Sequence, residues 1–142
     1  MGLDGATFDL LGPWIEEGEL PTLRKILDKS SYGWLESTIP PISPPAWTSF
    51  MTGVNPGRHG IYDFIGFKPN SFEKVLLNST HIRSKRFWDI AGERGRRSIL
   101  LHIPLTYPPQ KVEGVMISGI PAPPRGEFIY PEEMGKELEE RV

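Results

Sequence analysis

The stretch "SKRFWDIAGERGRRSILLHIPLTYPPQKVEGVMISG", residues 84–119, decides the fold. Its first twelve residues read as a helix capped by Ser84 and closed by Gly95, a hydroxyl at the start and a glycine at the stop. "RRSILLHIP" follows, and its run Ile99, Leu100, Leu101 and Ile103 is apolar enough for a strand buried on both faces. "GVMISG" repeats the strand pattern after a proline-rich connection. Helix, strand, long connection and strand are the signature of an α/β chain, and they predict a layered sandwich with a largely parallel sheet. In that architecture functional side chains collect at the carboxyl ends of strands.

Working outward, "TFDLLGPWIEEG" and "LPTLRKILDKS" read as two short helices, the second opened by Pro21. "YGWLESTI" reads as a strand, and "PPAWTSFMTG" as a helix entered through Pro44 and Pro45 and left at Gly53. "NPGRHG" is a turn, "IYDFIGF" and "EKVLLN" are candidate strands, and "YPEEMGKELEERV" is an acidic amphipathic helix. No internal repeat interrupts this order.

Composition bounds the function. The chain has 142 residues, 38% hydrophobic and 24% charged, which are globular values for one domain. No apolar run approaches the roughly 20 residues of a membrane span. A net charge of −2 gives no electrostatic case for nucleic acid or anionic lipid. The absence of cysteine excludes disulfides, thiolate metal sites and a cysteine nucleophile. With no basic-then-apolar leader at the start, the expected location is the cytoplasm.

Two residues stand where a crevice residue would. Asp4, in "GLDGAT", follows apolar residues that read as the end of a strand, and its carboxylate suits a divalent cation. The same dipeptide also suits an Asp-Gly turn or a helix cap. Ser43 precedes Pro44-Pro45 at a helix start. There it can cap the helix, or stand in the positive field that favours an alkoxide and a phosphate oxygen. A seryl hydroxyl needs a base or a metal to lose its proton at neutral pH. The histidines offer no ligand spacing: His59 lies in the turn, His81 in the loop "NSTHIR", and His102 beside a strand end. A Ser-His-Asp hydrolase lacks its G-x-S-x-G elbow here.

"GLDG" followed by "ISPPAWTSFMTGVNPGRHGIYDF" resembles the type I phosphodiesterase/nucleotide pyrophosphatase branch of the alkaline phosphatase superfamily. Thr52, Gly53, Pro56, His59, Gly60 and Ile61 match the family's T-G-x-x-P-x-x-H-G-I segment position by position. The likeness runs on through "FWDIAGERGRRSILLHIPLTYPP" to "GVMISGIPAPP". It implies a hydrolase of small phosphoesters with two divalent metal ions, zinc being the expected metal. Counting back from Thr52-Gly53 puts the nucleophile on Ser43. The resemblance further implies that Asp4 binds one metal, that this metal ionises the Ser43 hydroxyl, and that a covalent phospho-enzyme forms. His59 matches a family histidine that is not a metal ligand.

Two departures accompany the likeness. Where the nucleotide pyrophosphatases have an asparagine three positions after the nucleophile, this chain has Ala46, which removes the expectation of nucleotide specificity. The family's later Asp-x-x-x-His, Asp-His and final His have no counterpart, because none of Asp4, Asp9, Asp28, Asp63 and Asp89 is followed by a histidine at either spacing. Residues 1–142 therefore read as the N-terminal portion of a catalytic domain whose first strand is cut, inactive by itself. Its expected partners are the remainder of that domain or a second copy. The competing reading is a non-catalytic remnant or interaction module that keeps the α/β sheet.

Overall fold

The computed structural model describes residues 2–139. The chain divides into two compact units, Met1–Glu36 and Ser37–Val142.

The first unit is helical. α1 (Phe8–Glu16) begins where Thr7 Oγ1 accepts the Asp9 N–H at 3.4 Å, and it carries Pro13 inside it. α2 (Pro21–Leu27) uses Pro21 at its first turn, where a missing N–H costs nothing. Residues 32–39 form no strand, contrary to the sequence expectation. Tyr32 and Trp34, which share a face in extended chain, both stack on Phe8, with centroids at 5.4 and 5.7 Å. Ring contacts within the unit replace ladder pairing for the segment's β-favouring aromatics.

The second unit holds the sheets. α3 (Ser43–Thr52) ends at Gly53, whose φ of 68° is a left-handed cap that glycine adopts without strain, and Gly53 N–H donates to Ser49 O at 2.8 Å. Two threonines inside α3 satisfy their own hydroxyls: Thr48 donates to Pro44 O at 2.7 Å and Thr52 to Thr48 O at 2.6 Å. A single turn, α4 (Pro56–His59), follows. β1 (Ile65–Phe67) and β2 (Lys74–Leu76) make an antiparallel hairpin with Gly66 opposite Val75.

A tight 3-10 turn, Ser79–His81, leads to α5 (Phe87–Glu93). Ser84 does not cap this helix. Arg86 occupies the cap position and its N–H donates to Asp89 Oδ2 at 2.8 Å, because the carboxylate three residues on supplies the oxygen that a hydroxyl would.

β3 (Ser98–Ile103), β4 (Gly114–Ser118) and β5 (Ile129–Tyr130) form a mixed sheet in that order, β3 parallel to β4 and β4 antiparallel to β5. β5 was not legible in the sequence. The chain is thus α/β, with one small mixed sheet and one hairpin among the described residues. β3 is not buried on both faces. Leu100 is buried, whereas Ile99 and Leu101 are 75% and 56% exposed, so only one face of the strand meets the core. β3 also bulges between Leu101 and Ile103, leaving His102 at φ 53°.

The core of this unit joins every layer. Met51 from α3, Trp88 from α5, Leu100 from β3 and Met116 from β4 pack with Ile61, Leu77, Ile82 and Leu105. Arg86 pins the periphery of this core, its Nη2 donating to Ser79 O at 2.6 Å. Burial lowers the affinity of its guanidinium for the proton, and the neighbouring Asp89 opposes that shift. The acidic helix α6 (Glu132–Glu139) closes the described chain, and the last three residues of the segment read as helical lie outside it.

Candidate active site

Ser43 is the first residue of α3, with Ile42 at the N-cap. It is half-buried. The sequence placed it before the helix; the structure takes it one step inside. The consequence for anion binding is specific. Pro44 and Pro45 carry no N–H, and the Ala46 N–H is already committed to Ile42 O at 3.2 Å. The usual cradle of first-turn amides is therefore reduced, and α3 offers Ser43 a fixed position and an oriented dipole more than a ring of donors. Ala46, in place of a side-chain amide, leaves this end poorer still in donors.

One turn on, the same face of α3 becomes aromatic. Ser43, Trp47 and Phe50 stand at i, i+4 and i+7, the spacing of one helical stripe. Trp47 and Phe50 meet edge to face at 5.8 Å and 85°, Phe50 meets Phe87 of α5 at 6.1 Å and 79°, and Phe87 meets Trp88 at 4.9 Å and 79°. Phe50 and Phe87 are 64% and 47% exposed, while Trp88 is fully buried. Sequence reasoning missed this strip. The i, i+4, i+7 spacing from Ser43 was its only local signal, and nothing local announces Phe87.

Asp4 lies in the first unit, in a turn with Gly5 at φ 68°. The Asp-Gly turn is thus the local conformation, and Gly2 and Leu3 before it form no strand. Ser43 lies in the second unit.

The three histidines have separate fates. His59 is fully buried, its Nδ1 accepting the Ile61 N–H at 3.1 Å and its Nε2 lying 2.9 Å from Ser49 Oγ. Since Nδ1 accepts, the proton sits on Nε2 and is donated to Ser49. This is the opposite of the tautomer a general base for serine requires, so the pair is structural. Burial pulls the imidazole below its ordinary proton affinity and keeps it neutral. His81 accepts the Asn78 N–H on Nδ1 at 3.1 Å and closes the 3-10 turn. His102 is exposed at the β3 bulge.

An open groove of about 730 Å³ lies at the other end of α3, lined by Thr38, Ser49, Asn55, Pro56 and Tyr62 among others. Its lining has no charged side chain.

The family model of type I phosphodiesterase / nucleotide pyrophosphatase matches residues 1–141. The chain belongs to that family. No curated protein and no solved structure matches the chain. Members of the phosphodiesterase family generally depend on divalent metals. The described residues of this family member do not fit such a centre: no group of three or more His, Asp or Glu side chains is placed to hold a cation. One carboxylate and one hydroxyl are too few for a tight site. Among the described residues no helix is long and apolar enough to cross a membrane.

Proposed function

We propose that this chain supplies the nucleophile of a phosphoester hydrolase, and that Ser43 is that nucleophile. One observation carries the reading: in a chain of this phosphodiesterase family, the counted-back position is a half-buried serine on the first residue of a helix whose next two residues are proline. Prolines at the second and third positions fix the backbone that presents the hydroxyl and remove amides that would compete for its lone pairs. Ser43 Oγ bonds to phosphorus as the bond from phosphorus to the alcohol oxygen breaks, and the hydroxyl proton ends on the departing alcohol. Water then cleaves the Oγ–P bond and restores the serine.

Asp4 is proposed as one metal ligand, and zinc as the cation. The missing ligands belong to further polypeptide, and residues 1–142 are the N-terminal portion of a catalytic domain whose small mixed sheet extends into a layered, largely parallel sandwich. The exposed Ile99 and Leu101 support that extension, because a strand of this composition is ordinarily covered on both faces. The cytoplasm is the proposed location.

A second reading, a non-catalytic module that keeps the sheet, is favoured by the lack of a cation-holding cluster among the described residues. The coding sequence around the chain separates the two. The hydrolase reading expects an Asp-x-x-x-His and an Asp-His downstream, and a longer polypeptide whose metal-dependent cleavage of an aryl phosphodiester falls at least a thousandfold in Ser43→Ala. Closed reading frames with no such motifs in a neighbouring gene overturn it.

A further inference from the structure

We propose that the groove at the Gly53 end of α3 is a binding site for a neutral sugar, held between Asn55 and Tyr62 over Gly57. The inference stands apart from Ser43 and needs no phosphoester chemistry.

Convergence is the first observation. A Cβ on Gly57 would stand 3.3 Å from Asn55 Oδ1 and 3.7 Å from Tyr62 Oη, so a carboxamide and a phenol reach the same small notch, which the missing side chain keeps open. Neither group is spent elsewhere. Asn55 holds the N-cap position of α4 without a cap bond from its side chain, and among the described residues neither its carboxamide nor the Tyr62 hydroxyl has a hydrogen-bond partner. The polar atoms on offer are those of side chains, because Pro56 carries no N–H and the Arg58 and His59 N–H groups both donate to Asn55 O.

A third group in the lining is fixed in place. Half-buried Ser49 accepts from Nε2 of the buried His59, which leaves the serine its own O–H to donate into the groove. Carboxamide, phenol and serine thus offer donors and acceptors together.

The remaining observation is the kind of surface between them. No charged side chain lines the groove, while Ile39, Val54 and the Tyr62 ring, 52% exposed, give it apolar patches. A sugar has hydroxyls that both donate and accept, and C–H faces that pack on a ring, so it matches each part of this lining. A phosphate, carboxylate or ammonium group would lose hydration there and gain no opposite charge. The volume of about 730 Å³ falls within the roughly 300–1,000 Å³ of small-molecule sites. Because the groove is open on one side, it accommodates the end of an oligosaccharide as well as a free sugar.

The test titrates the 142-residue chain with methyl glucoside, maltose, cellobiose and N-acetylglucosamine, and with glucuronate and glucosamine as charged counterparts, read by amide NMR shifts. At least one neutral sugar is expected to give saturable shifts at Ser49, Asn55, Gly57 and Tyr62, and to bind more tightly than either charged counterpart. Asn55→Ala and Tyr62→Phe are each expected to weaken that binding about two- to tenfold, the worth of one hydrogen bond. Gly57→Ala is expected to abolish it by filling the notch. The backbone of Gly57 lies outside the left-handed region, so circular dichroism and melting temperature should stay unchanged in that variant. No saturable shift with any of the four neutral sugars overturns the proposal, as do shifts that map away from the groove. Full affinity in Gly57→Ala, or charged counterparts that bind as tightly as the neutral sugars, overturns it as well.

Discussion

His59 Nε2 and Ser49 Oγ lie 2.9 Å apart, with the imidazole as donor and the serine as acceptor. The contact ties the last turn of α3 to α4. His59 O also accepts the Arg83 N–H at 3.0 Å, and the Arg83 side chain passes 3.2 Å from where a Cβ on Gly60 would stand. A second proton on His59 would set an N–H against the Ile61 N–H at Nδ1.

That arrangement gives the fold a pH dependence of definite sign. Burial lowers the proton affinity of His59 in the folded state, so above the ordinary imidazole value of about 6.5 neither state binds the proton and stability is full. As pH falls below it, the unfolded chain takes the proton first, and stability declines through the lowered folded value. Urea midpoints are expected to drop from pH 7.5 to pH 5, and the drop is expected to shrink in His59→Gln. An unchanged slope in that variant contradicts the account.

Arg86 and Asp89 yield an ordered pair of effects. Arg86→Ala leaves Ser79 O without its donor and a carboxylate without its partner, an expected loss of about 3 kcal/mol. Asp89→Ala removes the oxygen that accepts the Arg86 N–H at the helix start, worth about 1 kcal/mol for a cap, and leaves the guanidinium its bond to Ser79 O. Chemical denaturation should find both destabilised, with Arg86→Ala the larger.

Core substitutions should divide by chemistry. Met51→Ala removes a fully buried side chain where α3 meets the core, for an expected loss of about 2–5 kcal/mol. Trp88→Phe also removes volume, yet it deletes an indole N–H that has no partner, and burying such a donor costs about 1–3 kcal/mol. The two terms offset each other. Thermal unfolding should show Trp88→Phe well tolerated beside Met51→Ala, and a loss as large as that of Met51→Ala would reject the unpaired indole.

How much of this was legible follows from the kind of signal each element carries. α3 was, because Pro44-Pro45 and Gly53 punctuate it locally. The β3–β4 pair was too, since Ile99 to Ile103 and Val115 to Ile117 are dense apolar runs. What failed depended on partners: 32–39 has strand chemistry but its rings find Phe8, and β3 has the composition of a two-sided strand but covers only one face. The α5 cap moved from Ser84 to Arg86 because a carboxylate three residues on can serve the same backbone N–H. At the candidate site, Ser43 was singled out by its neighbours in sequence. The thinning of donors around it needed the structure, because it depends on where Ala46 N–H is spent.

For the isolated chain, catalysis should be absent. With no group of cation-holding side chains among the described residues, zinc or manganese is expected to give no cleavage of an aryl phosphodiester above the buffer rate. Ser43→Ala should change nothing in that assay. Turnover at ordinary enzyme rates by these 142 residues would show that the centre is complete without further polypeptide.

The central claim is that Ser43 bonds to phosphorus, and the most direct measurement is mass spectrometry of the intermediate. A polypeptide that holds this chain together with the proposed remaining ligands would be mixed with an aryl phosphodiester, quenched in acid within one turnover, digested and sequenced. The account predicts a phosphoester on Ser43 that appears within the first turnover and is missing from Ser43→Ala. Full turnover with an unmodified Ser43, or with the phosphoryl group on another residue, would contradict it.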